Sequence, residues 1–132
     1  MEYIGLSIAF FLLYGSKGTD PKIDKIKEKL ARMNPSLAKL DIFPSNETYT
    51  RNKRTIHLCL RDKNGEYYDE NTLIYVALLE IVHILTRGER DDHDEKFLSN
   101  FDFLITRAIR HRIYDPSKPL PHDYCGVKNV KK

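Results

Sequence analysis

The sequence predicts an α+β domain, and three sets of residues carry that expectation. From Thr55 to Arg61, Ile56, Leu58 and Leu60 alternate with Thr55, His57 and Cys59, the period of a strand with one buried face. From Leu73 to Leu85 the chain is apolar on nearly every side of a helix, so that helix belongs in a core. Ile23, Ile26, Leu30 and Met33, and later Phe97, Phe101, Leu104, Ile105 and Ala108, recur at helical spacing and give two amphipathic helices. The expected architecture is a short mixed or antiparallel sheet packed on a leading helix and on the buried helix, followed by a further helix.

The length of 132 residues suits one domain with a self-sufficient core. Charged residues at 31% and apolar residues at 41% are ordinary for a globular chain. A net charge of +3 is too small to argue for nucleic acid. Two cysteines, Cys59 and Cys125, do not make a disulfide framework, and the expectation is a reducing compartment or a free thiol packed as a small hydrophobe.

Residues 1–18 form a hydrophobic segment and linker ahead of a domain spanning 19–132. Tyr3, Ile4, Leu6, Ile8, Phe10, Phe11, Leu12 and Leu13 lie in an uncharged run that ends at Tyr14. A standard span needs about 20 apolar residues, and the only early charge is Glu2, so no secretory leader is indicated. The run fits a short membrane anchor or re-entrant segment, a buried element of the domain, or a plug into a partner protein. Gly15-Ser16-Lys17-Gly18 behind it favours a tether.

Thr19 or Asp20 caps the first helix, with Pro21 in its first turn, and Asn34-Pro35 stops it. Its lysines read as a solvated face, or alternatively as a patch for lipid or nucleic acid. Leu40 to Phe43 is a short strand ended by Pro44, and Thr48 to Thr50 pairs with the strand beginning at Thr55. Arg51-Asn52-Lys53-Arg54 is a basic turn, either solvated or set against phosphate. Lys63-Asn64-Gly65 signals a hairpin, and Glu66 to Tyr68 leads into the buried helix, capped by Asp69 or Asn71. Arg107, Arg110, His111 and Arg112 complement the dipole at the end of the last helix.

Within the buried helix, Leu79-Glu80-Ile81-Val82-His83 has the outline of the zinc-protease motif HExxH with its first letter changed. In that motif two histidines four apart share a helix face and one metal, and the glutamate is general base on the zinc-bound water. Here Glu80 and His83 are present, but Leu79 cannot ligate zinc. Without a metal, Glu80 would pair with His83 or with His93.

Further residues extend the pattern: Tyr49-Thr50, Asn52-Lys53, Cys59-Leu60, Asn71, Leu73, Tyr75-Val76, then His93 with Phe97, and Tyr124-Cys125-Gly126. In that order the chain resembles the small WLM/SprT-like zincin metallopeptidases of large nucleocytoplasmic DNA viruses, over about its last two thirds. The resemblance implies a zincin-like domain, His83 and His93 as vestigial metal ligands, Phe97 packed behind the site and Glu80 as a vestigial base. It also implies that the strand ahead of the helix lies at the cleft edge, where an extended peptide can pair with it. Leu79 and the charged stretch Arg87 to Asp92 depart from the pattern. The resulting expectation is a catalytically inactive metallopeptidase-like protein without cofactor, acting as a minor capsid or virion component. Its partners would be viral capsid or membrane proteins, its location the capsid or inner membrane, with the host cytoplasm during assembly. The alternative is an active zinc peptidase with Cys125, His57 or His122 as substitute ligand. Nucleic acid is not an expected partner, since no aromatic-interleaved motif accompanies the basic stretches.

Overall fold

The computed structural model describes residues 20–52, 54–86 and 95–128. Helix α1 (Pro21–Met33) begins at Asp20, whose carboxylate accepts from the Lys22 amide at 2.8 Å. It buries Ile23, Ile26, Leu30 and Met33, the four residues of its apolar stripe. A 3-10 turn (Pro35–Lys39) leads into strands β1 (Asp41–Ser45), β2 (Tyr49–Arg51) and β3 (Thr55–Cys59). Helices α2 (Glu70–Thr86) and α3 (Glu95–Arg110) come next, and the small hairpin β4 (Asp123–Tyr124) and β5 (Val127–Lys128) closes the described chain.

The sheet is mixed, in the order β1-β3-β2, with β1 parallel and β2 antiparallel to β3. This is the α+β domain with a short sheet that the sequence predicts. Two details differ. Pro44 does not end the first strand but lies within β1, opposite Leu58. An edge strand tolerates proline because only one of its sides is paired. And β3, the last full strand before α2, is central rather than at an edge.

The register separates the two faces of the sheet. Ile42, Ile56 and Thr50 stand side by side on one face, and Phe43, His57 and Tyr49 on the other. Ile42, Ile56 and Leu58 are buried, so the first face meets the helices. On the outer face His57 stacks on Tyr49 at 4.5 Å and lies 5.8 Å from Phe43.

Asp69 caps α2: its carboxylate accepts from the Thr72 amide at 3.0 Å and the Thr72 hydroxyl at 2.8 Å. Asn71, the other expected cap, instead binds both backbone groups of Asp115 and ties the helix start to the segment after α3. Arg107 of α3 donates to the Met33 carbonyl at 3.2 Å, so one of the basic residues at the end of α3 also closes α1.

Glu70, in the first turn of α2, bridges Lys29 at 2.6 Å and Lys22 at 3.4 Å. The hydrogen bond from the Lys29 ammonium holds its carboxyl below the ordinary value of 4.5. A carboxylate lowered on folding stabilises the protein above its unfolded value, and this contribution is lost as pH falls through the folded value. Glu70→Gln is therefore expected to cost up to about 1 kcal/mol at neutral pH. Urea midpoints of variant and wild type should converge as the pH is taken down through the lowered titration of the folded Glu70 carboxyl; a constant gap would show that the bridge contributes no charge term.

Candidate functional site

Helix α2 carries Leu79, Glu80 and His83, and sets Glu80 against β2, the antiparallel edge strand. Thr50 is the middle residue of β2, and its side chain faces α2 for the same reason that Ile56 is buried: the two are cross-strand partners. Its hydroxyl donates to Glu80 Oε1 at 2.7 Å. The Glu80 backbone carbonyl lies 3.3 Å from the same hydroxyl. This contact fixes β2 against the helix and satisfies one oxygen of a half-buried carboxylate. Tyr49-Thr50 belongs to the sequence pattern, but nothing in the pattern tells that Thr50 reaches Glu80.

His83 is half-buried, and its ring centroid lies 4.7 Å from that of Phe97. Phe97 is a buried core residue of α3, and the His83 ring packs against it. Leu79 is only 6% exposed and belongs to the apolar core. One turn of helix thus offers a carboxylate, an imidazole and, where a first imidazole would be needed, an isobutyl group. No group of three or more His, Cys, Asp or Glu able to hold a metal occurs among the described residues. His93 lies outside them, as do Arg87 to Asp92 and the apolar run from Tyr3 to Tyr14.

The chain has viral relatives. It is 42% identical over 89 residues to an uncharacterized protein of Invertebrate iridescent virus 3, covering 67% of this chain and 55% of the relative. It is 36% identical over 92 residues to an uncharacterized protein of Invertebrate iridescent virus 6, covering 67% and 51%. An uncharacterized protein of Acanthamoeba polyphaga mimivirus is 32% identical over 115 residues, covering 80% and 57%. The chain spans about half the length of the curated relatives it matches. No protein-family model and no solved structure matches it.

The substitute ligands expected from the sequence fall elsewhere. His57 is on the outer face of the sheet, away from the helices, and His122 is exposed near the C-terminal hairpin. Cys125 is bonded to Cys59, with their Cα atoms 6.6 Å apart. This overturns the expectation of free thiols, and a sulfur in a disulfide has no thiolate to give a metal. The bond joins residues 66 positions apart, and two isolated cysteines carry no sign of it in the sequence.

Around this bond the end of β3 is tied to the hairpin by a closed set of hydrogen bonds. Tyr124 is 2% exposed, and its hydroxyl donates to the Cys59 carbonyl at 2.6 Å. Thr48 Oγ1 lies 2.7 Å from the same hydroxyl and accepts from the Cys59 amide at 2.8 Å. The Cys125 amide donates to the Tyr68 hydroxyl at 2.8 Å. Burial pushes the Tyr124 phenol far above its ordinary value, so the O–H is retained as a donor.

No helix among the described residues is long and apolar enough to cross a membrane.

Proposed function

We propose that this chain is a metallopeptidase-like protein that has given up hydrolysis and serves a large DNA virus as a structural component of the particle, at the capsid or the inner membrane. The observation that carries the reading is Leu79, buried at the position where a zinc-protease helix needs its first imidazole. Catalytic zinc sites use three protein ligands and an open position for water. With Leu79, at most His83 and His93 remain of the expected set, and an apolar side chain occupies the place of the third. Glu80 then has no metal-activated water to deprotonate, and the Thr50 hydroxyl takes up one of its oxygens. What remains useful is the scaffold: a helix locked to a sheet edge, with a surface for partners. The viral relatives support a role in a virus. The apolar run from Tyr3 to Leu13 supports attachment to a membrane or to capsid proteins.

Metal analysis of the full chain tests this reading. The wild type is expected to hold no zinc, and Leu79→His to gain about one zinc per chain. Tightly bound zinc in the wild type would overturn it and favour an active peptidase with an unconventional ligand. A Leu79→His chain that folds but stays metal-free would remove the basis for a relic site. Fractionation of purified particles tests the location: the chain should be retained with capsid or membrane, and its absence from particles would refute a virion role.

A further inference from the structure

The disulfide has two unlike sulfurs. Cys59 is 3% exposed and sits in the sheet, whereas Cys125 is half-buried at the tip of the C-terminal hairpin. Both line a cavity of about 1210 Å³, together with Arg61, Tyr68 and the turn around Gly65. Cys125 and Gly126 have φ of +48° and +86°, the left-handed pair that a two-residue hairpin turn of the primed type requires. Gly126 adopts this without penalty, but Cys125 carries a Cβ in a region that such residues rarely occupy. The strands on either side are only two residues long, so the hairpin is held by its attachments rather than by its own ladder. The Arg61 carbonyl lies 3.4 Å from Cys59 Sγ and 3.7 Å from Cys125 Sγ. One acceptor is therefore in place for both S–H groups once the bond is broken.

We propose that Cys125 is a thiol-exchange site, reached through this cavity by a small-molecule thiol, and that exchange there frees the turn and β5 of the C-terminal hairpin while Tyr124 keeps β4 on the end of β3. A thiolate in the cavity attacks Cys125 Sγ. The Cys59–Cys125 bond breaks, a mixed disulfide forms on Cys125, and Cys59 leaves as a thiolate that takes up a proton. A second small thiol attacks the mixed disulfide, forms the oxidised small-molecule disulfide and leaves Cys125 as a thiol. Two electrons pass from the two small thiols to the protein disulfide. The Tyr124 hydrogen bonds outlast this chemistry, so the core is retained while the turn is freed.

The test is titration of the full chain with reduced glutathione, read by mass spectrometry and by amide hydrogen exchange. The expected result is reduction in the folded protein: amides of Cys125 to Lys128 lose protection while those of α2 keep theirs. Two single variants give an independent readout. Cys59→Ser, which leaves Cys125 free, is expected to take up glutathione from its oxidised form about tenfold or more faster than Cys125→Ser, which leaves the buried Cys59. A bond that resists glutathione until the α2 amides also exchange would overturn the proposal and make the disulfide a plain structural staple. Equal reactivity of the two variants would overturn the access through Cys125.

Discussion

Tyr124→Ala is expected to be the most damaging single substitution outside the helices, costing about 3–5 kcal/mol. Two losses combine. The ring is 2% exposed and packs on Tyr68 with centroids 4.8 Å apart, so its removal opens a cavity. The hydroxyl is the partner of the Cys59 carbonyl and the neighbour of Thr48 Oγ1, and both become short of a partner. Tyr124→Phe separates the two, because it keeps the ring and removes only the hydrogen bonds; about 1–3 kcal/mol is expected for it. Thermal unfolding should show the alanine variant lowered by roughly 10–20 °C. A loss near zero would mean that the hairpin contributes nothing to the domain.

Removing the Cys59–Cys125 bond is expected to cost about 4 kcal/mol, because it frees a loop of 66 residues in the unfolded chain. Cys59→Ser, Cys125→Ser and the double variant should share most of this loss in denaturant titrations, since each removes the same link. The two effects are not independent. Tyr124 and Cys125 are neighbours and fasten the same hairpin to the same strand end, so the triple loss should differ from the sum. If the double cysteine variant unfolds at the wild-type midpoint, the entropic account of this bond fails.

How much of this was open to sequence reasoning depends on the range of the interaction. Local chemistry was legible. The stripe Ile23, Ile26, Leu30 and Met33 gave α1, the alternation around Ile56 and Leu58 gave β3, and the unbroken apolar run gave α2. Sequence narrows the cap before Pro21 to Thr19 or Asp20, and Asp20 is the one that caps α1. What failed needed a partner far along the chain. Asn71 looks like a cap until Asp115 is seen 44 residues later, where the segment after α3 needs its backbone satisfied. Thr50 is an unremarkable strand residue until the antiparallel register turns it toward Glu80. Cys59 and Cys125 are two isolated cysteines until the hairpin folds back onto the end of β3. At the candidate site the motif residues could be read and their substitution at Leu79 weighed, but the strand that meets them could not.

Pro44 has a consequence for crowding. At high local concentration an open sheet edge is a template on which copies can polymerise. Strand β1 is one of the two edges of this sheet, and at its fourth residue it has no N–H to offer a neighbouring strand. The other edge, β2, is three residues long and ends in Arg51. A proline on one flank and a short, charged strand on the other disfavour sideways growth of the sheet by strand pairing between copies.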